Sequence, residues 1–214
     1  MRQTFTALTG ADAFSFHAEI LADRVADTGQ KLQFAAAMDV AVRRPDRLRV
    51  EYTGDLAAKR VWYDGEQLMV FDPDHGVYAS MPGAGDVAVT LAAAEERYGV
   101  DLPLADLTRP DLWALVEGGL ERVRRLGLHD VDGTDCYHLA LRREHQDVQA
   151  WIKPGTPPLL CKILFTYTEE PGSPQFIAIF SDWDFKPKLR DAYFEPELPD
   201  DAVKAEFLVS REPR

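Results

Sequence analysis

His138, His145 and Asp147 are the chain's best material for acid–base chemistry. A histidine changes charge near neutral pH, and a carboxylate can orient it as a general base. Their placement argues against that use. His138 and His145 fall on either side of a predicted hairpin turn, and no serine or cysteine in a nucleophile motif accompanies them. They read as solvated surface histidines. Asp130, Asp132 and Asp135 alternate as in a calcium loop, but the loop's twelfth position has no glutamate, and Asp132-Gly133 is explained as a turn. Asp64-Gly65 is a turn for the same reason. Cys136 and Cys161 are the only cysteines, and their spacing matches no zinc or redox motif. They read as small buried hydrophobes on strands. Trp62, Trp151 and Trp183 could stack a sugar, and cross-strand packing explains them at least as well. The acids Glu195, Glu197, Asp200 and Asp201 sit in a Pro-rich tail that reads as solvated, with a short apolar end at Phe207-Leu208-Val209. No catalysis, metal or cofactor is expected from these residues.

The elements around these residues are mostly strands. The stretch from Arg43 to Pro82 alternates apolar and polar residues and is punctuated by Asp64-Gly65 and Pro73-Asp74-His75-Gly76, as in an antiparallel meander. Before it, Phe14 to Ala22 and Leu32 to Val42 predict two strands longer than usual, each with one apolar face. After Gly83 the pattern changes. Asp86 to Tyr98 predicts a helix with Val87, Leu91, Ala94 and Tyr98 on one side, closed by Gly99. The apolar run Leu102 to Leu107 follows, and Asp111 to Glu117 predicts a short second helix. Alternation resumes at Leu120 and runs, through several turns, to about Trp183.

The 214 residues, 46% hydrophobic and 28% charged, describe a globular chain. The expected organisation is one domain over 1–214: strands over 13–80, a helical lid over 84–118, strands over 120–185 and a tail over 190–214. The net charge of −12 argues against nucleic acid and against an anionic membrane surface. No run approaches the roughly 20 apolar residues needed to span a bilayer. No basic segment followed by an apolar run stands at Met1, so no export signal is visible.

Taken in order, RRPDRLRVEY, VWYDG, LPLADL, VDGTDCYHLAL, QAWIKPGTPPL and PGSPQF resemble a family of uncharacterised predicted periplasmic proteins. It is a domain of unknown function placed near the LolA/LolB lipoprotein carriers and their LppX-like relatives. The resemblance runs from about Ala18 to Val209. It implies a mainly β (α+β) fold: a curved antiparallel sheet forming an incomplete barrel, with a short helical lid over the concave face. It also implies a periplasmic location with the export signal removed, and a concavity that shields acyl chains.

The residues' own geometry leads the same way. A half-open sheet has two free edges and a wide apolar face, and a short lid need not pack that face solid. The expected cleft is apolar. Its expected lining is Leu104, Leu107, Trp113 and Leu115 on the lid with Phe34, Met38 and Ile163 on the sheet. The alternative is that lid and sheet form a dry core. Expected partners are an apolar ligand or lipoprotein acyl chain, or an envelope protein docking on the sheet edge or the lid.

Overall fold

In a computed structural model that describes residues 1–207, twelve strands form one sheet. The strands are β1 (Ala13–Val25), β2 (Lys31–Arg43), β3 (Arg47–Gly54), β4 (Ala58–Tyr63), β5 (Gln67–Asp72), β6 (Val77–Pro82), β7 (Leu120–Val131), β8 (Thr134–Arg143), β9 (Gln146–Lys153), β10 (Leu159–Tyr167), β11 (Gln175–Asp184) and β12 (Val203–Lys204). Their order across the sheet is β12-β6-β5-β4-β3-β2-β1-β11-β10-β9-β8-β7, with β7 and β12 at the ends, so the barrel is not closed. Every pairing is antiparallel except β12 with β6.

The predicted alternation sets the register. Phe14, Phe16, Ala18 and Ile20 of β1 face the core beside Ala36, Met38, Val40 and Val42 of β2, and their odd-numbered neighbours face the other way. The Asp64-Gly65 turn carries its positive φ at Gly65, with Asp64 Oδ1 accepting from the Glu66 and Gln67 amides.

The inserted block is helical as predicted. Helix α1 (Arg2–Thr9) precedes the sheet, α2 (Val87–Tyr98) follows β6, and α3 (Leu112–Glu117) precedes β7. Asp86 caps α2 by accepting from the Ala88 and Val89 amides, and Gly99 ends it in the left-handed conformation. Leu102 to Thr108 forms an irregular segment closed by a 3-10 turn at Ala105–Thr108.

Four expectations need correction. Most of the helix lies within Asp86–Glu117, but α1 stands where no helix was expected: Thr4, Phe5 and Leu8 bury one of its faces, and Phe5 lies 6.4 Å from Trp113 of α3. Cys136 and Cys161 are buried as expected but are joined in a disulfide that reaches from β8 past β9 to β10. The tail is docked rather than free. The exposed acids stand on a segment that buries Phe194 completely and adds β12 to β6, while Glu197 lies 3.6 Å from Arg49. Among the described residues the sheet therefore ends in a short added strand on one side and in β7 on the other. Leu208-Val209 of the expected apolar end lie outside the described residues.

His138 is the fourth. It is 7% exposed, stacked on Trp151 at 4.0 Å, with Nε2 bonded to Gln149 Oε1 and Nδ1 to His129 Nδ1. Burial, with the smaller push of His129 and Lys162, lowers its pKa. His145 is exposed beside Glu169, as expected, and Asp147 holds Arg142 in a two-point ion pair. None of these three tryptophans offers a free ring for a sugar: Trp62 is buried on the outer face, Trp151 lies under His138, and Trp183 stacks among Phe16, Phe180 and Phe185.

Candidate functional site

Two halves of the concave face receive different cover. Val87 N–H donates to Pro45 O just before β3, and Val87, Leu91 and Ala94 of α2 pack in the same core as Leu48, Val50 and Val61. Helix α2 covers this half, where Leu48, Val50, Val61, Tyr63 and Leu68 are all but inaccessible. The other half, β8 to β11, lies under the 102–108 segment, α3 and α1. These are short pieces with gaps between them.

A cavity of about 390 Å³ opens there. Its floor is Leu141, Val148, Leu160, Ile163, Phe165 and Phe176, with Phe180 deeper. Its roof comes from Leu102, Leu104, Leu107, Leu112, Leu115 and Val116, with Met1 and Phe5 of the N-terminal helix region at one side. The volume falls in the range of ligand pockets. At about 30 Å³ per water it has room for roughly a dozen molecules. Most of that lining offers water no hydrogen bond, so displacing water by an apolar ligand is favourable.

Polar groups gather at the rim. Glu95, Asp101 and Asp106, all exposed, put carboxylates there, and Gln146, Tyr167 and Arg143, half-buried, also line the cavity. Burial raises the Tyr167 pKa, and Glu170 and Asp101 add to the effect. Burial likewise raises that of Tyr52, where Asp101 and Asp55 act against Arg24. Both hydroxyls therefore stay neutral.

Lid and sheet are fastened by arginines. Arg143 Nη2 donates to Gly118 O at 2.9 Å and to Leu115 O at 3.2 Å, satisfying carbonyls at the end of α3. Arg44 Nη1 donates to Thr108 O at 2.7 Å, while Arg2 of α1 pairs with Glu117 of α3 at 3.1 Å within the lid itself. These fastenings sit at the lid's margins and leave the space beneath it open.

The expected lining residues divide. Leu104, Leu107, Leu115 and Ile163 meet at the cavity. Met38 is 2% exposed in the filled core, paired across to Ala18 and Tyr52. Phe34 lies half-buried near the start of β2, its ring 6.0 Å from the Arg24 guanidinium. Trp113 packs on Phe5 and under Arg2, outside the cavity. Phe165, Phe176 and Leu102 were missed. Phe165 and Phe176 stand on the apolar face of predicted strands, but alternation shows the face and not which half is left uncovered.

Comparison with known proteins gives this geometry a context. A family described as "Predicted periplasmic protein (DUF2092)" matches residues 1–208. No curated protein matches the chain by sequence. Among solved structures, the lipoprotein LppX of Mycobacterium tuberculosis is 16% identical, covers 85% of this chain and 91% of its own, and superposes with a TM-score of 0.51. LprF of Mycobacterium bovis is 14% identical, covers 94% of each chain, and gives 0.53. At such identities the likeness is one of fold. The open β-sheet with its helical cover is the fold that LppX and LprF show.

Proposed function

This chain belongs to the family of predicted periplasmic proteins, and from that premise we propose that it is a non-catalytic carrier or sensor for an apolar ligand: a lipid, a lipoprotein acyl chain or a molecule of similar character. The ligand occupies the space between β8–β11 and the lid. The observation that carries this reading is the unfilled apolar cavity, in a molecule whose other half is packed solid. The acidic rim favours a ligand whose head group is not an anion, because Glu95, Asp101 and Asp106 repel one and Arg143 is engaged with the lid. The Cys136–Cys161 bond supports an oxidising compartment.

Mass spectrometry of an organic extract of the purified protein, against an unrelated protein prepared alongside, tests for a resident ligand. Titration with the neutral apolar fluorophore N-phenyl-1-naphthylamine tests the cavity itself. Ala105→Phe, which puts a ring into the roof, is expected to weaken binding at least tenfold. Wild-type protein that neither retains nor binds an apolar molecule would remove the basis of the proposal.

A further inference from the structure

The two ends of the sheet are finished differently. At β6 the docked tail adds β12. At β7 the sheet stops with no strand beyond it among the described residues. β7 is 12 residues long, and residues 121–126 and 128–130 are all exposed. Large apolar side chains are among them: Val123 and Leu128 are 52% exposed and Leu126 is 45%. An edge of that length presents a row of unpaired amides and carbonyls.

Its charge is also unlike the rest of the molecule. In a chain of net charge −12, the run Arg122–Leu128 carries three arginines and no acid. Among the described residues Arg122, Arg124 and Arg125 form no ion pair, and Arg125 lies over the Tyr137 ring at 4.3 Å. The register against β8 sorts them by face. Val123, opposite Leu141, and Leu128, opposite Tyr137, point to the concave side. Arg122, opposite Arg142, and Arg124, opposite Ala140, point to the convex side. There they border a groove of about 250 Å³ shared with Arg142, Asp147 and Gln149. Asp147 already holds Arg142, which leaves the other two guanidiniums for an incoming carboxylate.

Arginines and the bulges flanking Arg122–Arg125 also guard an edge against self-pairing. Two copies of β7 side by side would set like charges together. The same feature admits a strand of opposite charge. We infer that β7 is a strand-addition site for an extended segment of a partner protein in which acidic and apolar residues alternate. Its carboxylates meet Arg122 and Arg124 on the convex face. Its apolar side chains lie beside Val123 and Leu128 on the concave face, continuous with Leu141 of the cavity floor. Main-chain pairing supplies affinity and the alternating side chains supply selection.

The probe is a fluorescein-labelled decapeptide alternating glutamate and valine, followed by anisotropy with the full chain. It is expected to bind, to protect β7 amides from hydrogen exchange, and to weaken at high salt. Arg122→Glu with Arg124→Glu, both exposed and neither lining the cavity, is expected to weaken it at least tenfold. The same peptide with alternate amides N-methylated keeps its charge and loses one edge of main-chain donors; it is expected to bind at least tenfold more weakly. Equal binding of the N-methylated peptide would reduce the contact to charge alone and overturn strand addition. Equal binding of a lysine–valine decapeptide, or no binding of the acidic one, would overturn the inference as a whole.

Discussion

The half of the sheet from β2 to β6 and the half from β8 to β11 begin from the same alternating pattern and end differently. In the first, a 12-residue helix lies along the strands and the side chains beneath it are inaccessible. In the second, the cover is an eight-residue helix, a six-residue helix and an irregular segment, and a cavity remains. Each half is also held by other means on its outer face. The filled half carries the docked tail with Phe194, and the open half carries the disulfide beside Trp151. Apolar alternation makes a face suited to burial, but the length and continuity of what lies over it decide whether burial is complete.

The largest expected effect is a direct test of that contrast. Phe14 of β1, paired with Val42 at the border of the filled half, is wholly inaccessible and 6.4 Å from Phe16. Phe14→Ala is expected to cost about 3–5 kcal/mol, the usual result of emptying a packed aromatic site. Phe165 is half-buried, with part of its ring already facing the cavity. Phe165→Ala removes fewer contacts and is expected to cost less than about 2 kcal/mol, because the space beside it is already open. Its effect should fall instead on binding of the apolar fluorophore. Urea denaturation midpoints at constant slope measure the stability terms. Equal losses from the two substitutions would mean that both halves are packed alike.

Next in size is the staple. The cysteines are 25 residues apart, and a loop of that order predicts about 3 kcal/mol of stabilisation from the cross-link. Cys136→Ala with Cys161→Ala is expected to lose about that much. The loss should appear as faster hydrogen exchange in β8 to β10 more than in β2 to β6. A near-neutral double variant would show that the open half holds without its cross-link.

How far the sequence foretold this division follows from which interactions are local. The long strands were legible because a buried face imposes period 2, and α2 was legible from Asp86 and Gly99 at its ends. Helix α1 was not, since it has three buried positions and draws its stability from packing on Trp113, 108 positions away from Phe5. The disulfide was not, because pairing across β9 depends on strand order. At the site, Leu104, Leu107 and Leu115 were legible because an apolar lid segment has only the sheet to cover. Met38 and Phe34 were misplaced because only the closure of β1 on β11, which joins residues some 160 apart, decides which strands lie under the gap.

The smallest expected effect concerns the outer face, where two histidines respond to acid in opposite directions. His17, near the middle of the sheet, bonds Asp39 at 2.8 Å and Glu19 at 3.2 Å, and these carboxylates raise its pKa, Asp39 foremost. Its contribution to stability is complete below about 6.5, the value of an unfolded-state histidine, and is lost as pH rises through the raised folded value. His138, in the open half, is lowered chiefly by burial. As pH falls through about 6.5 the unfolded chain takes up a proton that folded His138 declines, so stability drops until the lowered folded value is passed. Replacing His17 by Gln should therefore remove a stabilising term at pH 5.5 and little at pH 8. The pair is partly exposed, so the term belongs with those of roughly 0.2–1 kcal/mol. His138→Gln should do the reverse, making the protein less sensitive to the same acid step. Urea midpoints of both variants and wild type at pH 5.5 and pH 8 give the two differences. If they share a sign, the buried stack of His138 on Trp151 is not what sets its protonation, and the outer faces of the two halves are electrostatically alike.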